Sequence, residues 1–388
     1  MAEPGSTASS SRDRVKTALS HTEPDRVPFD FGGTDVTGIH VVAYRALRSH
    51  LGLPEVELRI ADVFQQLAEV DDDVLEIFGV DVTNVSPRLS TPFEIEDAGS
   101  SYTILDEYGI GWRMPKEGGW YYDMFSHPLA GDVSIGDVKR FRWPDPLEPA
   151  RYVGFAERAE AAARAGRAVV VCNLGSAGIL EVYAWLRGYD SYFTDFVINR
   201  DLACAIMDKV LELKLAYWEH ALSLVGDDID VAQEGDDFAG QERLLISPET
   251  YRQLVKPRHK ELFDFLHRKS GASIFFHSDG AIREVIPDLI EIGVDILNPV
   301  QVSAAGMDSA ELKREFGRDL TFWGGGIDTQ AVLGTATPDQ VRAEVRKRLD
   351  DLMPGGGFVF ATVHNVQANV PPENIVAMWE AVREFGRY

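Results

Sequence analysis

Short apolar runs that stop on a polar side chain recur along the second half of the chain. Val169-Val170-Val171-Cys172 stops on Asn173, and Ile229-Asp230-Val231-Ala232 stops on Gln233 and Glu234. Phe275-Phe276 stops on His277, Val294-Asp295-Ile296-Leu297 on Asn298, Leu320-Thr321-Phe322 on Trp323, and Phe360-Ala361-Thr362-Val363 on His364. Between these runs the spacing predicts helices over about 150–165, 178–196, 200–225, 248–269, 281–292, 308–316, 337–352 and 372–386. Strands alternating with helices mean parallel β structure with crossover helices. A (β/α)8 TIM barrel is favoured over a doubly wound sheet, because a barrel gathers so many polar strand ends at one face. The doubly wound alternative also needs a glycine-rich phosphate turn after its first strand, and Phe29-Asp30-Phe31-Gly32-Gly33-Thr34 is not one.

The first part of the chain reads differently. Residues 1–12, rich in Ser, Ala and Gly, predict a disordered tail, and 13–388 then form a single barrel domain. Helical spacing starts at Arg14, Asp25 to Gly33 reads as a turn entering a short strand, and 39–51 and 56–78 read as two amphipathic helices. Val80 to Val85 is the next strand. Alternating segments separated by Gly and acidic turns then predict an antiparallel β-meander inserted at about 87–128.

Composition narrows the partners. A formal charge of -24 over 388 residues argues against nucleic acid or an anionic membrane surface, since neither polyanion would be attracted. No stretch approaches the roughly 18 apolar residues of a membrane span, and residues 1–12 lack the apolar core of a signal peptide. Two cysteines, Cys172 and Cys204, make no disulfide framework and read as buried free thiols of a cytoplasmic protein. The partner is then a small-molecule substrate, and a homodimer is left open.

His277 and His364 are the candidate chemistry, because an imidazole leaving a buried strand is costly unless something binds it. Asp279 lies two residues beyond His277 and so faces the same side. Its bland alternative is a cap on the helix that begins near Ala281. Together His277, Asp279 and His364 suggest a zinc site that Glu234 completes, with one position left for substrate. Two imidazoles on one ion must then converge to within roughly 4 Å, for bonds near 2 Å. Asp236 and Asp237 are candidate proton donors, with a solvated acidic loop as the alternative. Asp30, Asn173, Asn298, Gln301, Trp323, Asp328 and Gln367 are candidate substrate contacts, although Trp323 reads equally well as a core side chain. Trp112, Trp120 and Tyr121 either wall the pocket or form a small core within the insertion.

The stretches Asp25-Arg26-Val27-Pro28, Leu245 to Glu249, Phe276 to Gly280, Ile296 to Gln301, Trp323 to Asp328 and Pro371 to Ile375 resemble the uroporphyrinogen decarboxylase superfamily, nearest its corrinoid-related methyltransferase branch. The resemblance spans the chain after the tail and implies a (β/α)8 barrel with its site at the strand C-termini. The decarboxylases of this superfamily carry an arginine-rich N-terminal segment for a polycarboxylate substrate; here Val27 to Thr34 offers Asp30 and no arginine. In the methyltransferase branch the resemblance implies zinc held by His-x-Cys and a second Cys, and those two cysteine positions fall on Asp279 and His364. Harder ligands suit an oxygen-bearing substrate better than a thiol. The resulting expectation is transfer of a methyl group from a methoxylated or methylated small molecule to a corrinoid, which a partner protein must carry because no D-x-H-x-x-G signature occurs here. The rival expectations are a cofactor-free lyase acting on an organic acid and a barrel that binds a ligand without turnover.

Overall fold

The computed structural model describes residues 9–90 and 93–388. Seven parallel strands curl around one core: β1 (Val82–Val85), β2 (Ala168–Cys172), β3 (Val231–Gly235), β4 (Ser273–His277), β5 (Ile296–Asn298), β6 (Thr321–Trp323) and β7 (Phe358–Val359). Each pairs with its neighbours in chain order, and β1 and β7 are the two edges. Residues 28–30 fill the gap between those edges. The Phe360 N–H donates to the Pro28 carbonyl at 2.9 Å, Asp30 N–H donates to the Phe360 carbonyl at 2.9 Å, and Asp81 N–H donates to the Phe29 carbonyl at 2.9 Å. An eighth position thereby closes the expected TIM barrel. Strands covered on both faces read as continuous apolar runs, and all five residues of β2 are buried.

Helices follow the predicted alternation with local corrections that have identifiable causes. The 178–196 segment breaks at Gly188, whose φ of 72° lets the chain turn between Ile179–Arg187 and Tyr189–Ile198. The 248–269 segment contains a π-helical turn over Tyr251–Val255. Pro257 follows it and has no N–H to offer the carbonyl of Gln253. The helix expected over 56–78 is not formed. Its place is taken by a small antiparallel pair, Ile60–Asp62 with Leu67–Ala68, and a short helix Asp72–Phe78. Asp62 accepts from the N–H groups of Phe64 and Gln65 at 2.7 and 3.0 Å, and Gln66 adopts φ 55°, so the chain turns back instead of continuing as helix.

Of the expected tail, residues 1–8 lie outside the described residues, but Ser11–Leu19 is already a helix capped by Ser10. Arg12 anchors it to Asp230 at 2.9 Å. The meander is present as Glu96–Asp97, Ser101–Leu105, Gly111–Pro115 and Asp123–Ser126, paired antiparallel in sequence order. Trp112 is its core residue, packed on Phe64 at 4.4 Å and edge-on to Trp185 at 5.3 Å. The Tyr122 N–H donates to the Phe64 carbonyl at 2.8 Å and His40 bonds the Trp120 carbonyl at 2.8 Å, which ties the insertion down beside the barrel mouth. Among the described residues no helix is long and apolar enough to cross a membrane.

Candidate active site

Strand register decides which side chains enter the lumen. His277 pairs with Gly235 on one side and Asn298 on the other, and Phe275 pairs with Gln233 and Ile296. Side chains alternate along a strand, so Gln233, Phe275, His277 and Asn298 share the inner face while Glu234 and Phe276 face the helices. Gly235 is required here: a Cβ at this position would lie 2.8 Å from the His277 Cβ.

His277, Asp279 and His364 converge at the C-terminal mouth, with one donor atom from each lying within 4.8 Å of the others. The His364 Nε2 to Asp279 Oδ2 separation is 3.9 Å. The set is therefore slightly more open than the roughly 4 Å span of two ligands on one ion. A hydrogen-bonded chain behind it fixes the His277 ring. Asn298 Nδ2 donates to the Trp323 carbonyl at 2.7 Å, which leaves Asn298 Oδ1 to accept from His277 Nδ1 at 2.6 Å. The proton is thus on Nδ1, and the Nε2 lone pair is directed into the bowl. Asp279 Oδ1 is shielded from solvent and has no hydrogen-bond partner among the described residues. An oriented imidazole, a second imidazole and an unsatisfied carboxylate oxygen are a donor set that can hold a divalent cation.

Charge sharpens the picture. Burial alone would lower the His277 pKa, but the carboxylates of Asp279 and Asp237, helped by Asn298 and Asp35, raise it above the ordinary imidazole value. A cation is therefore favoured at this spot, as proton or as metal. Asp237 lies 3.9 Å from His277 Nε2 and accepts the Asp279 N–H at 2.7 Å. Restricted solvation raises its carboxyl above the usual range; His277 opposes this and Asp279 adds to it. Glu181, on the first turn of the helix at the rim, is pushed up well above its ordinary value by burial and then by Asp237 and Asp236.

Several expected site residues do other work. Glu234 points outward, where its carboxylate takes Lys214 Nζ at 2.8 Å and Trp218 Nε1 at 2.6 Å, and both ends of that ion pair are only 2% exposed. It is not placed as a fourth ligand. Asp236 is wholly buried and caps the helix Ile179–Arg187 through the N–H groups of Leu180 and Glu181 at 2.7 and 2.8 Å, while also bonding His259 at 2.8 Å. Only Asp237 of that pair reaches the bowl. Asp30 accepts from Trp323 Nε1 at 2.8 Å and from the Gly33 N–H at 2.7 Å, so both side chains serve the barrel interior; burial pushes the Asp30 carboxyl up to about 6. Asp328 closes the turn over Gln330 and Ala331, and Asn173 lies beside the Ala177 carbonyl and Glu234 on the outer face. Asn298 orients His277 rather than facing a substrate.

A cavity of about 360 Å³ opens over the donors, lined by Asp279 and His364 below, Gln301, Gln330, Gln367 and Asn369 around, and Trp120 and Tyr121 on the insertion side. Gln301 and Gln367 thus lie where substrate contacts were expected, and none of the lining residues is Lys or Arg. The alternatives for the insertion aromatics divide: Trp112 is core, and Trp120 and Tyr121 are pocket wall. Asp35 and Asn365 carry no obvious signal in the sequence, and Gln233 is marked there only as one of the two polar residues ending its run. Asn365 bonds the Gly38 N–H at 2.6 Å, the Asp35 carbonyl at 2.8 Å and Gln65 at 2.8 Å, fastening the loop that follows the closing segment 28–30.

A family profile described as Uroporphyrinogen decarboxylase (URO-D) matches residues 10–385. The chain belongs to the uroporphyrinogen decarboxylase family. It is 25% identical over 380 residues to a uroporphyrinogen decarboxylase of Alkalilimnicola ehrlichii, covering 96% of this chain and 94% of that protein. The corresponding protein of Methylococcus capsulatus is 26% identical over 287 residues, covering 73% and 77%. Among solved structures the barrel is similar to a methyltransferase from Methanosarcina mazei, with a TM-score of 0.66 and 18% identity over 97% of this chain and 99% of that one, a likeness of fold. The resemblance read from the sequence is therefore the family observed, and membership of the uroporphyrinogen decarboxylase family makes this chain an enzyme.

Proposed function

We propose that the chain is a metal-dependent methyltransferase that moves a methyl group from a methoxylated small molecule to a reduced corrinoid carried by a separate protein. The observation that carries this reading is the His277, Asp279 and His364 set opening onto a cavity walled by aromatic and carboxamide side chains. When bound, a divalent ion, zinc first among candidates, supplies Lewis acidity toward an ether oxygen. Imidazole and carboxylate donors suit that oxygen better than they suit a thiol. Asp237 stands beside His277 and keeps a proton to higher pH than an ordinary carboxyl, which fits it to protonate the departing phenolate or alkoxide. Trp120 and Tyr121 offer ring faces to a planar substrate, and Gln301 and Gln367 bind its polar groups. The methyltransferase from Methanosarcina mazei, similar in fold, supports this assignment by analogy.

The curated relatives are named as decarboxylases, which favours a lyase as the second reading. The cavity supports it poorly, because a substrate with many carboxylates would meet Asp279 and no Lys or Arg there. Elemental analysis of the purified protein, with methyl transfer from methoxyaromatic donors to cob(I)alamin, separates the two. Stoichiometric metal that is lost in His277→Ala and His364→Ala, with the fold retained, is the expected result. Full metal occupancy in both variants sinks the site, and a metal-free protein that decarboxylates an organic acid favours the lyase.

A further inference from the structure

One polar side chain on the inner face of the barrel has an acceptor that nothing among the described residues satisfies. Gln233 lies on the inner face of β3, in register with Cys172 of β2 and Phe275 of β4, and is 2% exposed. Its Nε2 donates to Asp35 Oδ1 at 2.9 Å. That bond fixes the amide, since the reversed orientation would set an oxygen against a carboxylate. Gln233 Oε1 is therefore the free end, shielded from solvent and without a partner. Buried acceptors in folded proteins are nearly always paired, and an exception in a lumen points to a donor that arrives with a ligand. Gln233 lies one inward-facing position before Gly235, whose partner on the next strand is His277, which sets this pair one layer beneath the donors described above.

We infer that Gln233 Oε1 is the acceptor for a hydroxyl group of the substrate, carried next to its methylated oxygen, and that Asp35 holds the amide in place and turns away anionic substituents. The inference rests on the methyltransferase reading for the neighbouring ether, and its chemistry is otherwise that of a single hydrogen-bond donor. A hydroxyl fits better than an ammonium, because a divalent ion held by His277 would repel a second cation. A carboxylate is excluded by Asp35 for the opposite reason. Asp35 is a positioning residue in this scheme, and Gln233 is the one that touches substrate.

Calorimetric titration of the full chain, loaded with zinc, with 2-methoxyphenol and with methoxybenzene tests this directly. The two probes share ring and ether and differ by the hydroxyl. The wild-type protein is expected to bind 2-methoxyphenol about tenfold or more tightly, the cost of leaving a buried acceptor unpaired. Gln233→Leu should erase the difference at unchanged zinc content. Asp35→Asn should admit 2-methoxybenzoate, which the wild type rejects, so a second variant remains informative where the first folds poorly. Equal affinities in the wild type, discrimination kept by Gln233→Leu, tighter binding of 2-methoxybenzylammonium, or no measurable binding of the phenol each overturn the assignment. Binding needs no turnover: discrimination without methylation of cob(I)alamin defeats the methyltransferase reading and leaves the subsite, whereas equal methylation from both ethers does the reverse.

Discussion

The two ends of this barrel use the same residue type in opposite ways. At the N-terminal end Asp81 is fully buried and fully paired, with Arg14 at 2.7 Å, Arg26 at 2.7 Å and the Phe29 N–H at 2.8 Å. Asp230 nearby is held by Arg12 at 2.9 Å, Lys16 at 3.0 Å and the Val169 N–H at 2.9 Å. At the C-terminal mouth Asp35, Asp237 and Asp279 form no ion pair with Lys or Arg among the described residues; Asp237 and Asp279 instead lie 3.9 Å from the imidazoles of His277 and His364, respectively. Saturated carboxylates hold the closing strand to its neighbours. At the mouth Asp279 keeps an oxygen without a partner among the described residues, on the face where barrel enzymes carry their sites.

Substitution at Asp81 breaks this contrast most severely. Asp81→Ala leaves Arg14 buried without one of its two carboxylates and removes the clamp on residues 26–29, so a loss of about 3–5 kcal/mol is expected in denaturant unfolding. The same change at the mouth, Asp279→Ala, should cost far less in the metal-free protein, because it deletes an unsatisfied acceptor. Equal losses at the two positions would show that the mouth carboxylates also serve the fold.

Glu234 comes next, and it tests which side of the strand an acidic residue serves. Glu234→Gln leaves Lys214 charged in a site 2% exposed and should cost roughly 3 kcal/mol, with metal content unchanged. Pairing it with Lys214→Met should recover much of that loss, since removing both charges removes the uncompensated one. Metal lost in the double variant, with stability recovered, would return Glu234 to the site.

That residue also marks the limit of what the sequence discloses. Strand runs such as Val169 to Cys172 and the helices between them are legible, because β-branched runs and helical spacing are local signals; Asp25 to Gly33 reads only as a turn entering a short strand, and its closure of the barrel rests on the distant partners Phe360 and Asp81. His277 and His364 are legible as strand ends and through the family's motifs. Glu234 departs from its expected place by one residue of parity: in a run ending Gln233-Glu234-Gly235, only register against Phe275 and His277 shows that Gln233 faces in and Glu234 out. The same blindness hid Asp35, which reaches the bowl through a loop with no period, and Asn365, whose partners lie some 300 residues away. The apolar spacing of 56–78 was satisfied by a turn and two short strands because side-chain-to-backbone bonds at Asp62 outbid a helix there.

A smaller effect is expected where the mouth is held from behind. Asn298→Ala removes the acceptor that keeps the proton on His277 Nδ1 and should weaken metal binding by about 10–100-fold, with a loss of about 1–3 kcal/mol in the unfolding of the metal-free protein because the Trp323 carbonyl loses its donor. Competitive chelation measures the first quantity. Asn298→Asp, which still accepts from Nδ1, should restore most of the affinity, an outcome that a purely packing role for Asn298 does not predict.

The smallest and most discriminating effect is in pH. His277 has its folded pKa raised above the ordinary imidazole value by Asp279 and Asp237 acting against burial. In the metal-free protein the imidazolium therefore contributes stability that is complete below the unfolded value and is lost as pH rises through the folded one. A metal requires the neutral ring, so its contribution must grow over the same interval. Asp30 acts in the same sense at lower pH, since a carboxyl pushed up to about 6 by burial also loses folded-state protonation as pH rises. Wild type must accordingly be compared with His277→Gln rather than with itself. With chelator present, the advantage of wild type over His277→Gln should shrink from pH 6 to pH 8. With zinc in excess it should widen, and parallel curves under both conditions would mean that proton and metal do not share that nitrogen.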